Sequence, residues 1–198
     1  MNSIEYWNHN SAYYKWLKKE TEDCDIILDV GCGDGSLLRY LDNGKQRLFG
    51  IDCDTRCIEK AVANTNSTCI TYNCCSFLNF DSELKYSAII FVASLHHMDS
   101  QAAIEKAKKL LSLRGRIYIV GLAKPSNIKD TFIEFARIIP CYIFSKIKKI
   151  ESCESKDMPV SYSIPTMDEV RNMSEVLLPG YVLKYGLFYR YLLKWECS

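Results

Sequence analysis

A chain of 198 residues with 25 basic and 24 acidic side chains has a formal net charge of +1, which excludes the broad positive field that draws a protein to nucleic acid regardless of sequence. Hydrophobic residues at 48% and charged residues at 25% are ordinary for a folded protein. A chain of this length buries about 70% of the surface it exposes when open, so disorder is excluded as the main state.

In chain order, a polar, aromatic-rich leader precedes Ile26-Ile27-Leu28-Asp29-Val30, a buried strand by composition that runs into Gly31-Cys32-Gly33-Asp34-Gly35. A helix with Leu37, Leu38 and Leu41 on one face follows, then a short strand over 47–51. Asp54 caps a second helix through Ile58, Ala61 and Val62. Further strands are predicted over 68–72, 87–93 and 116–122, with a helix over 101–111 presenting Ile104, Ala107, Leu110 and Leu111. Strands alternating with helices of this length predict a parallel sheet covered on both faces.

The alternation stops over 124–165, where 131–150 predicts one or two helices interrupted at Pro140. Thr166-Met167-Asp168-Glu169 is a capping box opening a helix with Val170, Met173, Val176 and Leu177 on one stripe. Strands over 181–185 and 187–195, separated by Gly186, predict a hairpin. One domain over 1–198 is expected: a cap segment 1–24, a core 25–123, a helical insertion or lid 124–165, and a closing helix and hairpin 166–198. The ten cysteines have no CxxC pair and read as reduced thiols of a cytoplasmic protein. Residues 1–10 carry neither a basic region nor an apolar run, so no secretory signal is expected, and no stretch reaches the length of a membrane span.

The strongest chemical signal is the strand ending in a glycine-rich turn that opens a helix. Glycines let the backbone pass close to a ligand, and the helix start offers free N–H groups. The second strand ends at Gly50-Ile51-Asp52, putting a carboxylate at the neighbouring tip, where it accepts hydrogen bonds from both hydroxyls of a ribose. A dinucleotide fold wants GxGxxG with its third glycine where Ser36 stands; this chain has GxGxG with an acid two residues before it.

With that motif, with Gly50-Ile51-Asp52, with Ser94-Leu95-His96-His97-Met98-Asp99 and with Leu113-Arg114-Gly115-Arg116, the chain resembles the class I S-adenosylmethionine-dependent methyltransferases over most of its length. The resemblance looks closest to the small bacterial-type branch, whose tail ends in a strand like Phe188-Tyr189-Arg190-Tyr191 with Trp195 nearby. It implies a Rossmann-like three-layer αβα fold with a mostly parallel seven-stranded sheet in the order 3214576, the last strand antiparallel. It also implies methyl transfer from S-adenosylmethionine, leaving S-adenosylhomocysteine, to a small, partly apolar acceptor by in-line displacement.

Carried onto this chain, the resemblance places Asp29 near the methionine amino group, Gly31, Cys32 and Gly33 beneath the cofactor, and Asp52 with Cys53 at the ribose. Val92 and Ala93 would face the sulfonium end. Where the family often has an acid for the adenine amine the chain has Cys74-Cys75-Ser76-Phe77, which leaves Ser76 and Phe77 for that contact; Ser87 stands where an acid often opens the fourth strand.

His96 and His97, at the tip of the fourth strand, either take a proton from an oxygen or nitrogen nucleophile or bond a neighbouring carbonyl and orient the loop. Tyr13 either reaches the cofactor carboxylate or packs a helix on the sheet. The apolar residues over 132–144 form a lid or bury against the sheet, and Lys146, Lys148 and Lys149 read as a solvated helix face. No metal site is expected, since adjacent histidines rarely converge on one ion without a second paired motif. The expected partner is a small-molecule acceptor, with no nucleic acid and no membrane span, in a monomer or homodimer. The alternatives are a non-catalytic module that binds the cofactor or its product and engages a protein, or a nicotinamide-dependent oxidoreductase. Methylation of RNA or protein is disfavoured by the neutral charge and by Val92-Ala93-Ser94-Leu95 where an NPPY-type motif would stand.

Overall fold

Five residues that are apolar apart from Asp29 form the strand β1 (Ile26–Val30) at the middle of a seven-stranded sheet, in a computed structural model that describes residues 9–127, 164–187 and 189–198. The other strands are β2 (Arg47–Asp52), β3 (Ile70–Cys74), β4 (Tyr86–Val92), β5 (Leu111–Leu122), β6 (Val182–Tyr185) and β7 (Arg190–Glu196). They lie in the order β3-β2-β1-β4-β5-β7-β6. Pairing is parallel from β3 to β5, and β7 runs antiparallel to both β5 and β6. This is the expected α/β, Rossmann-like arrangement. The strand order reverses between β2 and β4, on either side of β1, and in such sheets the crevice at the carboxyl ends of the strands at that point receives ligands.

A 3-10 turn at Ser11–Tyr13 leads into α1 (Tyr14–Glu20). The remaining helices are α2 (Ser36–Leu41), α3 (Thr55–Ala63), α4 (Ser100–Leu110) and α5 (Met167–Leu177). The two predicted caps form, Asp54 accepting from the Arg56 amide and Thr166 and Glu169 making the reciprocal capping box, and Asp99 adds a third by accepting from the Ala102 amide. Each such cap stabilises its helix by about 1 kcal/mol.

Alternation along the strands divides the core. Leu28, Val30, Ile89, Phe91, Ile117 and Ile119 face Ala103, Ile104 and Ala107 of α4 and Val170 of α5. Ile27, Ala88, Ile90, Tyr118 and Val120 face the other way, onto Leu17 of α1 and Leu37, Leu38 and Leu41 of α2. Residue 29 shares the parity of Ile27, so the one carboxylate of β1 points to the α1/α2 side.

The elements depart from expectation by more than one residue in three places. β3 lies two residues later than 68–72, because its register against β2 runs to the pair Asp52–Cys74. β5 begins at Leu111, directly after α4, and its pairing with β4 jumps from Tyr86–Leu111 to Ala88–Arg116, with the intervening residues looping out around Arg114 at φ 57°. The hairpin turn is longer than Gly186 alone: β7 starts at Arg190, after Tyr189 at φ 56°, and the Gly186 amide donates to the Arg190 carbonyl at 2.6 Å. The expected insertion over 124–165, with its apolar cluster and lysine run, lies mostly outside the described residues, as do residues 1–8 of the leader. Among the described residues no helix is long and apolar enough to cross a membrane.

Candidate functional site

β1 ends at Val30, and the chain turns through Gly31, Gly33 and Gly35 with φ of 75°, 54° and 76°. Side-chain-bearing residues resist that region by about 1–2 kcal/mol each. At Gly31 space is a second reason for glycine: a Cβ would stand 2.4 Å from Cβ of Ser94, whose hydroxyl donates to the Val30 carbonyl at 2.5 Å. Nothing lies within 4 Å of the position a Cβ would take at Gly33, so the turn is open there. The amides of Gly31 and Cys32 donate to the Ile51 carbonyl at 2.8 and 3.0 Å, which binds the turn to the end of β2.

At that end stands Asp52. Its Oδ2 accepts from the Gly33 amide and its Oδ1 from the Asp54 amide, each at 2.9 Å. A carboxylate offers about four acceptor sites, so each oxygen retains capacity for a further donor, such as one of two adjacent hydroxyls. α2 is six residues long and its first amide, of Ser36, is taken by Asp34. The binding capacity of the turn therefore lies in its open backbone and its flanking carboxylates.

Asp29 is 2% exposed, and its Oδ1 is buried without a hydrogen-bond partner. Burial, and next the charge of Asp52, push its carboxyl up to about 8. A buried acceptor left open is destabilising unless something else satisfies it. An amine-bearing ligand in the crevice would do so, and the cationic charge would draw the carboxyl back to its ionised form. Burial also raises the phenol of Tyr14, which shares a 3.0 Å hydrogen bond with Ser36 and feels the charge of Asp29.

β4 supplies the opposite wall. Val92 is half-buried, and Ala93 follows it at φ 52°, its amide donating to the Val120 carbonyl at 2.8 Å. An alanine held in the left-handed region is strained backbone of the kind that gathers at ligand sites. A 3-10 turn at Leu95–His97 carries both histidines, whose ring centroids lie 4.0 Å apart and whose Nδ1 atoms are buried and unpartnered. Burial, then His97 and Arg190, lower His96 to about 4, so its imidazole is neutral at physiological pH. His96 lines a cavity of about 230 Å³ with Leu95, Gly121, Leu122, Met173 and Tyr191 among its other walls.

Asp29, Gly31, Gly33, Asp52, Val92, Ala93 and His96 thus gather at the carboxyl ends of β1, β2 and β4. Other sequence-predicted residues are differently placed. Cys32 is turned inward: its thiol is buried beside Gly50, and burial raises its pKa. Tyr13 donates its hydroxyl to the Leu187 carbonyl at 2.6 Å, packing the leader on the hairpin. Phe77 lies in the core, edge-on to Phe91 at 5.6 Å, while Ser76 and Cys53 are exposed beyond the ends of β3 and β2.

Sequence reasoning passed over Gly121 and Tyr191 as site residues. A Cβ at Gly121 would lie 2.3 Å from the Tyr191 ring, so the two are matched across the β5–β7 pair. A glycine inside an otherwise apolar strand signals such a close approach. Among the described residues no group of three or more His, Cys, Asp or Glu is arranged to hold a metal ion.

Residues 27–115 match a family described as a methyltransferase domain. An uncharacterized methyltransferase of Mycobacterium tuberculosis is 25% identical over 195 residues, covering 96% of each chain. Among solved structures, a protein of Pyrococcus horikoshii superposes with a TM-score of 0.71 at 15% identity, over 100% of this chain and 93% of its own. The magnesium protoporphyrin IX methyltransferase of Synechocystis, with S-adenosylhomocysteine bound, superposes with a TM-score of 0.63 at 15% identity, over 96% of this chain and 82% of its own.

Proposed function

We propose that the chain, in which residues 27–115 match a methyltransferase domain, binds S-adenosylmethionine at the β1–β2–β4 crevice and transfers its methyl group to a small, partly apolar acceptor. The observation that carries the reading is the unpartnered Oδ1 of Asp29, buried below a side-chain-free turn, with the Asp52 carboxylate fixed at the next strand tip. The pair offers one anion for an amine and one for a ribose diol, at the two places such a molecule presents them.

S-adenosylmethionine supplies a sulfonium-activated methyl group, and the chain has to position rather than activate it. Asp29 holds the amine end and Asp52 the ribose, while Gly31 and Gly33 let the backbone run beneath. Val92 and Ala93 bound the reacting end, and His96 accepts a hydrogen bond from the incoming nucleophile while His97 packs against its ring. Alignment of donor and acceptor in this way contributes up to about 7–11 kcal/mol of barrier reduction. The reading is tested by calorimetric titration with S-adenosylmethionine, S-adenosylhomocysteine and, as control, NADH. Micromolar binding of the first two without the third is expected; binding of NADH alone overturns it.

A further inference from the structure

We propose that the cavity of about 230 Å³ between the Leu95–His97 turn, the end of β5 and α5 is the acceptor site, and that it selects an uncharged single-ring compound bearing a phenol-type hydroxyl held between His96 and Tyr191. The inference rests on the methyl-transfer reading and specifies its acceptor.

Size limits the guest. A dry protein cavity of about 150 Å³ accepts a benzene, so this one has room for one substituted ring. Leu95, Leu122, Val170 and Met173 are apolar walls. The Tyr191 ring lies directly over Gly121, where any side chain would collide with it, which leaves a flat face for a planar guest.

Charge limits it further. Among the described residues no lysine or arginine lines the cavity, so a carboxylate or phosphate finds no counter-ion there. Glu169, the one acidic residue among the described lining, is already engaged: Oε2 accepts from the Thr166 amide at 2.7 Å and from its hydroxyl at 2.9 Å. An ammonium guest would have to compete with that capping box.

Besides the engaged Glu169, the described lining residues offer the guest three polar side chains: the imidazole of His96, the hydroxyl of Tyr191, a residue only 2% exposed, and the hydroxyl of Ser100, which donates to the Leu95 carbonyl at 3.4 Å. An imidazole held neutral by burial is a weak base. It assists a hydroxyl that is already acidic, as on an aromatic ring, and not an alkyl alcohol. In the transfer the phenolic oxygen forms the C–O bond as the C–S bond of the donor breaks. The bonding pair stays on sulfur, giving the thioether, and the phenolic proton passes through His96 to solvent.

The test is calorimetry on the full chain saturated with S-adenosylhomocysteine, using 4-methylphenol, 4-methylbenzoate and 4-methylbenzylamine as probes at neutral pH. The phenol is expected to bind about tenfold or more tighter than either charged analogue, and Tyr191→Phe to weaken it about five- to tenfold with S-adenosylhomocysteine affinity unchanged. Equal or tighter binding of a charged analogue overturns the proposal, as does a phenol that fails to bind protein already holding S-adenosylhomocysteine or that ignores Tyr191→Phe. Failure to bind S-adenosylhomocysteine at all instead overturns the methyl-transfer reading, and the acceptor assignment with it.

Discussion

The Gly33 amide donates to Asp52 Oδ2 at 2.9 Å, so the turn after β1 and the tip of β2 are held as one rigid unit before any ligand arrives. Asp52→Ala removes this bond and the one from Asp54 together. The variant is expected to lose at least about tenfold in S-adenosylhomocysteine affinity and about 1–3 kcal/mol of stability. Calorimetry and denaturant unfolding check it, and undiminished affinity would remove Asp52 from the site.

Asp29 gives a dependence on pH with a definite sign. Its carboxyl stands at about 8 in the folded chain against an ordinary 3.8, so between those values the folded state binds more protons than the unfolded. Stability therefore falls as pH rises through that window. Asp29→Asn is expected to abolish the decline, melting above the parent by a margin that grows from pH 5 to pH 8, while binding S-adenosylhomocysteine at least about tenfold more weakly. In the parent, binding at pH 7 should release protons, which calorimetry in buffers of different ionisation enthalpy measures directly. A variant less stable than the parent at pH 8 would contradict this account.

Gly31 and Gly33 separate strain from space. Gly33→Ala meets no neighbour and is expected to cost only the backbone penalty, about 1–2 kcal/mol. Gly31→Ala adds a collision with Ser94 and is expected to cost more. Combining it with Ser94→Gly should recover the excess and leave the backbone penalty. Equal unfolding free energies for the two single variants would refute the distinction.

His96 shapes the acid limb. Its imidazole stands at about 4 against an ordinary 6.5, so between those values the unfolded state binds more protons and stability is lost as pH falls. His96→Gln is expected to flatten melting temperature between pH 6.5 and 4 and to lower turnover with cofactor affinity retained. A variant with the parent's acid profile would show that the histidine is free to protonate in the fold.

The parts of this molecule legible in its sequence are those where one physical demand dominates. β1 could be bounded to the residue because an apolar run broken only by Asp29 meets a glycine turn, and Asp54 and Thr166 announced their helices through capping chemistry. β3 was displaced by two residues because it is an edge strand, largely exposed, and register with β2 rather than apolar content sets its limits. The start of β5 was hidden by Ser112-Leu113-Arg114-Gly115, which bulges out of a strand that sequence could only treat as a loop. In the candidate site, the acidic residues and glycines that the fold brings to neighbouring strand ends stand in local motifs. The partnership of Gly121 with Tyr191 was not legible, because it joins residues far apart in the chain through the pairing of β5 with β7.

That pairing also orders the assembly of the molecule in time. β7 is made last yet lies between β5 and β6, so on a growing chain β6 has no neighbour in the sheet until the residues after it have been synthesised. The same late segment receives the leader, through the two hydrogen bonds from Arg190 to Asn10 and the one from Tyr13 to Leu187. The contacts of Asn10 and Tyr13 therefore form only once the β6–β7 segment is available, and a ribosome-bound chain lacking β7 holds the cavity beside the Leu95–His97 turn without its Tyr191 wall.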